Sequence, residues 1–167
     1  IGFTLKPNFN FPLTRINRNL KDLELQTSIH YLQGEFKQNY SDDSNLNYAF
    51  FNFGLHPVLK LDWKKLNIKL GSKIYLTSDI ENSLTDVLAY PDIEICHPLN
   101  SGLLNIYTGA SGDLHMNSFK SLSEVNPFVS PTLFLTQTNE QYNLFGGING
   151  TLSSIISFNL KASYKKN

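Results

Sequence analysis

The most regular stretch of the chain is LNIKLGSKIYL at 66–76, where Leu66, Ile68, Leu70, Ile74 and Leu76 alternate with Asn67, Lys69, Gly71, Lys73 and Tyr75. Successive side chains of a β-strand point to opposite faces, so a strand here has one apolar and one polar face. The same period recurs along the chain. Phe3, Leu5, Pro7, Phe9 and Phe11 alternate with Thr4, Lys6, Asn8 and Asn10, and Leu23, Leu25, Ile29 and Tyr31 with Glu24, Gln26, Ser28 and His30. Phe51, Phe53, Leu55, Leu59, Leu61 and Trp63 oppose Asn52, Gly54, His56, Lys60 and Asp62, and Ile93 and Ile95 oppose Asp92 and Glu94. Leu104, Ile106, Ala110, Leu114 and Met116 oppose Asn105, Tyr107, Ser111, Asp113, His115 and Asn117. QYNLFGGI continues the pattern, and Ile156, Phe158, Leu160, Ala162 and Tyr164 close it against Ser157, Asn159, Lys161 and Ser163. No window of comparable length has a 3.6-residue period. The expectation is an all-β chain, an antiparallel up-and-down meander of about eight long strands.

The links between these strands differ in length. Short ones fall at DWKKL (62–66), HPLNSGL (97–103) and GINGTLS (147–153), with Asn100, Gly102, Asn149 and Gly150 as turn residues. Longer, polar ones fall at KQNYSDDSNLN (37–47), at SDIENSLTD (78–86) and from FKSLSEVNPFVSPTLFLTQTNE onward at 119. Short turns at one end and long loops at the other, with strands longer than the five or six residues usual in soluble sheets, suit an outer-membrane barrel. No charged residue falls on the apolar face of these strands. Lys6, Glu24, Lys60, Lys69, Lys73, Asp92, Glu94, Asp113 and Lys161 all lie on the other. A soluble sandwich shows the same split, because its outer face is wet.

Composition narrows the choice. Hydrophobic residues make up 41%, yet no apolar run approaches the roughly 20 residues of a membrane helix, which leaves a barrel as the membrane alternative. Fourteen basic and fourteen acidic residues cancel, so nothing points to nucleic acid. Cys96 is the single cysteine, which excludes an internal disulfide framework.

Candidate chemistry is sparse. His30, His56, His97 and His115 show no metal-binding spacing, and Cys96 and His97, being adjacent, point to opposite faces of a strand. Asp92 and Glu94 share a face and read as lumen-lining polarity rather than an acid and base pair. Gly109, Gly112, Gly146 and Gly147 precede no helix and read as places where strands bend or approach closely. Asp42 and Asp43, with Asp79, Glu81 and Asp86, are candidates for an external rim. NPFVSPTLF, with Phe128, Val129, Leu133 and Phe134, reads as a loop folded back on the barrel or against a partner. Trp63, Tyr48, Tyr75, Tyr90 and Tyr107 suit aromatic girdles. No enzymatic activity, cofactor or metal is expected.

Five pieces of the second half carry a family resemblance: YPDIEI before a short turn, the GASGDLHMNS strand, the SEVNPFVSPTL loop, the NEQYNLFGGINGTLS hairpin, and FNLKASYK. They resemble the C-terminal part of the barrel of TonB-dependent receptor-like outer-membrane proteins of Bacteroidota. The resemblance implies a large barrel, of about 22 strands in a true transporter. It further implies a plug domain and an energy-coupling protein, both outside this segment, and uptake of a ligand that the sequence does not identify. The chain opens on IGFTLKPNF without an initiator Met or an apolar leader. We therefore expect 1–167 to be one barrel segment of a longer chain in the bacterial outer membrane.

On this reading Leu66, Ile68, Leu70, Ile74, Leu76, Ile156, Phe158 and Leu160 face membrane lipid, and Lys69, Lys73, Asp92, Glu94, Asp113 and His115 face the lumen. Asp42, Asp43, Asp79, Glu81 and Phe128 lie in external loops. Two alternatives stay open: a plug-less structural or assembly barrel, and a soluble sandwich or open barrel that binds a carbohydrate or lipid.

Overall fold

The computed structural model describes residues 2–36, 46–99, 103–115, 117–128, 137–151 and 156–166. They form one antiparallel sheet of nine strands: β1 (Gly2–Leu5), β2 (Asn8–Pro12), β3 (Leu20–Phe36), β4 (Leu46–Trp63), β5 (Leu66–Asp79), β6 (Leu84–Leu99), β7 (Leu104–His115), β8 (Thr138–Thr151) and β9 (Ser157–Lys166). From β3 to β9 each strand pairs with the next, and β1 and β2 both pair with β3. The last two are halves of one interrupted edge strand. Pro7 has no N–H to donate, and its carbonyl accepts from Thr27 N at 3.0 Å, so the edge keeps its register across the break. The eight strand positions of the meander follow from this.

Register converts the alternation of each strand into two continuous faces. Phe11, Leu23, Leu59, Leu70, Ile93, Ala110, Leu144 and Tyr164 are successive partners from one edge of the sheet to the other. Asn10, Glu24, Val58, Gly71, Asp92, Ser111, Asn143 and Lys165 form the neighbouring row on the opposite face. A slip of one residue in any strand would break both rows at once.

The burial of the two faces is inverted relative to a water-soluble protein. Phe11, Leu70, Ile93, Leu144 and Tyr164 of the apolar row are exposed, whereas Val58 and Asp92 of the polar row are buried. The sheet is curled around its polar side. Cα atoms of β5 come within 8 Å of β7, and those of β6 within 8 Å of β8, whereas strands two places apart in a flat sheet lie roughly 9.5 Å apart. The curl brings Thr4 of β1 onto the same groove as Asp113 and His115 of β7. Phe50, Val58, Tyr90 and Leu114 are buried at separate points along the interior.

Several local expectations change. The 78–86 stretch is no long loop, because β5 runs through Asp79 and β6 starts at Leu84. The four-residue turn between them is held by Asp79, which accepts from Asn82 N at 3.1 Å and Asn82 Nδ2 at 2.7 Å, with Ser83 at φ 55°. Asn149 and Gly150 are no turn: they lie inside β8, paired to both β7 and β9. They read as turn formers in the sequence because Asn and Gly are turn residues when no second strand claims them. The DWKKL turn forms as expected, with Lys64 at φ 58°. Asn100 and Gly102 lie outside the described residues, as do Asp42 and Asp43.

Leu114 was expected on the apolar face. A register shift between Ser111 and Asp113 turns it inward instead, where it lines a cavity with Phe50, Leu88 and Gln137. The link after β7 contains a seven-residue helix, α1 (Phe119–Val125), too short to show a sequence period. Its start is fixed by Ser118, whose hydroxyl accepts from Ser121 N at 3.1 Å while Ser121 Oγ accepts from Ser118 N at 3.0 Å. No helix among the described residues is long and apolar enough to cross a membrane, which leaves the strands unaddressed.

The register of β5 and β6 is testable with the native thiol. Asn67 is the direct partner of Cys96, and opposed residues of antiparallel strands have Cα atoms roughly 4.5–5.5 Å apart, within disulfide range. Asn67→Cys is expected to form an intramolecular disulfide on oxidation and lose both free thiols in a thiol titration. Ile68→Cys, one residue away on the other face, should keep both.

Candidate functional site

The polar inner face is the one part of the described chain where charges converge. Its centre is two carboxylates. Asp113 Oδ2 receives Lys73 Nζ at 2.6 Å, and Asp113 Oδ1 accepts from Tyr75 OH at 2.7 Å and from Leu114 N at 2.9 Å. Asp92 Oδ2 lies 2.6 Å from His56 Nε2 and 2.7 Å from Lys69 Nζ. Both sites exist because alternation sends every second residue inward and register then sets the residues side by side. Strand β5 supplies Lys69, Lys73 and Tyr75 from alternate positions, while the acids come from β6 and β7.

Other inward residues complete a connected surface. Glu24 of β3 pairs with Lys60 of β4. Thr77 Oγ1 lies 2.6 Å from Asn52 Oδ1, which also accepts from Gln137 Nε2 at 3.1 Å, and Asn52 is only 2% exposed. Tyr90 OH donates to Asn139 Oδ1 at 2.9 Å, and the Tyr75 and Tyr90 rings meet edge to face at 5.9 Å. Glu140 receives Lys165 at 3.2 Å. The outcome is an inner wall whose buried polar atoms nearly all have partners; among the described residues only Asn143 Oδ1 lacks one.

Glycines set opposite aromatics shape this wall. Tyr48 faces Gly34, Tyr75 faces Gly54, Phe145 faces Gly109 and Tyr107 faces Gly147. A Cβ at Gly54 would meet Ser28 Oγ at 2.3 Å and the Tyr75 ring at 2.8 Å, and one at Gly147 would meet the Tyr107 hydroxyl at 2.5 Å. Each ring thus lies flat across a strand that has no side chain beneath it, an arrangement that also pins register. Lying flat, Tyr107 reaches Asn159 Oδ1 at 2.8 Å and Tyr75 reaches Asp113. Gly109 and Gly147 therefore serve close approach, as their sequence setting suggested. A Cβ at Gly146 would make only ordinary contact with Thr108, at 3.7 Å.

Two joined grooves run along the inner face. One, of about 500 Å³, is lined by Thr4, Lys6, His30, Tyr75, Asp113 and His115 among others. The second, of about 580 Å³, shares Lys6, His30, Tyr75 and Asp113 with it and continues past Gln26, His56, Lys69 and Asp92. Hydroxyls, amides and ion-paired side chains predominate, a lining that suits a polar solute or water.

The expected site residues fall as follows. Lys69, Lys73, Asp92, Asp113 and His115 all meet in or beside these grooves. Glu94 is one step removed, in a shallow cavity with Lys60, Lys69 and Cys96. Leu66, Ile68, Leu70, Ile74, Leu76, Phe158 and Leu160 lie on the opposite face, together with Ile156 just ahead of β9. Asp79 ends β5 and accepts from Asn82 in its turn, Glu81 sits exposed in that turn, and Asp86 faces inward beside Thr77 and Leu88.

Phe128, expected to pack on the barrel or against a partner, is 93% exposed and so does not pack on the described sheet. Val129, Leu133 and Phe134 lie outside the described residues. Trp63, the last residue of β4, is exposed. Tyr75, Tyr90 and Tyr107 point inward, because each has a hydrogen-bond acceptor there. Sequence reasoning missed the inward role of these tyrosines and of His30 and Lys6. The signal available was their place on the polar side of the alternation.

The histidines are dispersed: His30 Nδ1 meets Thr4 Oγ1 at 3.1 Å, and His97 Nδ1 meets the Lys65 carbonyl at 3.3 Å on the other face from Cys96. Among the described residues no group of three or more His, Cys, Asp or Glu side chains is placed to hold a metal ion. No family model, curated protein or solved structure matches the chain.

The Lys73–Asp113 pair gives a measurable expectation. Asp113→Asn strands a half-buried ammonium and removes the charged acceptor of Tyr75, so a loss of about 2 kcal/mol is expected in denaturant unfolding. In a double-mutant cycle with Lys73→Met, the coupling should be about 1–3 kcal/mol, with the double variant much closer to the parent than Asp113→Asn alone. Simple additivity of the two substitutions would mean that the pair contributes nothing.

Proposed function

We propose that this chain is part of a transmembrane β-barrel of a bacterial outer membrane, of the TonB-dependent receptor-like kind, that takes part in moving a polar ligand across that membrane. The apolar row from Phe11 to Tyr164 lies against lipid, and the grooves around Asp92 and Asp113 line the lumen. The observation that carries the reading is the inverted polarity of the curled sheet. Charged side chains converge on its inside, and a continuous apolar row stands exposed on its outside.

Three further observations support it. Among the described strand residues, the Asp, Glu, Lys and Arg side chains off the inner face, Glu35 and Lys166, sit at strand ends, clear of an apolar band. The seven full strands have 10–18 residues, enough for the roughly 9–11 that a tilted strand needs to cross. A sandwich needs a second layer over its apolar face, and the described residues form a single sheet. On this reading the inner wall recognises its ligand through hydroxyl, amide and charged groups, and the protein has no catalytic chemistry. Any plug or energy-coupling protein acts from outside these residues.

Leu70→Arg separates the membrane reading from a soluble one. Leu70 is already exposed, so in a water-soluble protein the change would fall within about 0.5 kcal/mol of the parent. At the middle of a bilayer it is expected to cost roughly 2–4 kcal/mol, read as a reduced folded fraction in lipid vesicles. Ser111→Arg on the polar face should be tolerated far better. Recovery of the parent protein as a detergent-free soluble monomer would overturn the proposal.

A further inference from the structure

The lysines of the inner face follow a rule, and two of them break it. Lys60, Lys69, Lys73 and Lys165 each have a carboxylate partner on another strand: Glu24, Asp92, Asp113 and Glu140. Lys161 and Lys6 have no carboxylate within ion-pair distance among the described residues. Lys161 sits instead over the Phe145 ring, 4.4 Å from its centroid, and Lys6 lines the junction of the two grooves beside His30. Their shared property is position. Lys161 lies on β9 and Lys6 in the break between β1 and β2, the two strand positions at the edges of the sheet, each with a neighbour on one side only.

The edges also lack acids of their own. From Gly2 to Pro12 and from Ser157 to Lys166 there is no Asp or Glu, while the inward positions of β9 carry Asn159, Lys161 and Lys165. Closing the sheet by pairing β9 with the β1–β2 edge would place lysines together with no carboxylate on either strand. Pairing either edge with the same edge of a second copy, or β9 of one copy with β1–β2 of another, has the same defect. Yet an open row of backbone N–H and C=O groups is not tolerated in a bilayer.

Building on the barrel reading, we infer that β9 is completed by a further antiparallel strand, from neither edge of this segment, which presents an inward Asp or Glu to Lys161. The carboxylate that Lys60, Lys69 and Lys165 each find on an adjacent strand is supplied to Lys161 by that strand. The closed barrel accordingly has more than the eight strand positions seen here.

The sign of a charge reversal tests this in the full-length protein, folded in detergent. The readout is the temperature at which the compact band of an unheated sample shifts to unfolded mobility on electrophoresis. Lys161→Gln and Lys161→Glu both lose the contact with Phe145, so the difference between them reports the charge across the β9 edge. Lys161→Glu is expected to unfold several degrees below Lys161→Gln, because it sets two carboxylates side by side. A Lys161→Glu protein as stable as Lys161→Gln, or more so, would mean a basic or neutral neighbour and would overturn the inference. The parent sample keeps the two readings apart: with no heat-dependent band at all, the barrel itself is lost, whereas a normal parent with the opposite sign at Lys161 removes the acidic neighbour alone.

Discussion

The Lys73–Asp113 ion pair joins β5 to β7 across the strand between them, and the rest of the inner face depends on this kind of contact. His56 of β4 reaches Asp92 of β6 in the same way, and Tyr90 of β6 reaches Asn139 of β8. Ladder hydrogen bonds hold only adjacent strands, so they fix register without fixing curvature. Side chains that bond over an intervening strand draw the two outer strands together above their shared face, which favours a bend toward that face. Curvature here is thus tied to the polar face, and the face that becomes convex is the apolar one. In a soluble sheet the order is reversed, with apolar burial choosing the concave side and polar groups left to water.

Glycine and tyrosine make that curvature possible without voids. An inward ring at each position of a tightly curled strand would collide with the ring opposite. Setting Tyr75 over Gly54 and Tyr107 over Gly147 halves the number of bulky groups and lays those that remain along the wall. Each hydroxyl then arrives at the level of an acceptor on a more distant strand, Asp113 or Asn159. The glycines and the ion pairs are for this reason one device: the first leaves room, and the second uses it.

How much of this was legible in the chain differs by level. The strands and their two faces could be read from LNIKLGSKIYL and its counterparts, because a period of two survives any detail of tertiary context, and no charge interrupts the apolar positions. Partners could not be read. Lys73 and Asp113 are forty residues apart, and nothing local to either states that one strand intervenes between theirs. The failures have local causes. Leu114 broke the alternation because of the register shift after Ser111, which leaves no periodic trace in one strand alone. Asn149 and Gly150 read as a turn because single-strand reasoning knows nothing of the strands on both sides that hold them. Tyr75 and Tyr90 read as girdle residues because an aromatic near a strand end suits an interface equally well, and only the acceptor across the interior decides.

What the exposed row would meet is a question of solvent. From Phe3 and Phe11 through Leu70 and Ile93 to Leu160 and Tyr164, large apolar side chains cover one side of the entire sheet. Soluble monomers seldom show an apolar patch beyond a few hundred Å², and in water such a surface would be buried by association. Against hydrocarbon it carries no penalty, and the work of holding the fold passes to groups that hydrocarbon cannot satisfy: the backbone ladders, Asp92, Asp113 and their partners. The backbone ladders become more strongly held as water is withdrawn from the convex side, since an unpaired backbone group there has no alternative. On the barrel reading an open edge at β9 would be the weakest feature of the described sheet, and the two inner lysines without a carboxylate lie at its edges and not in the middle.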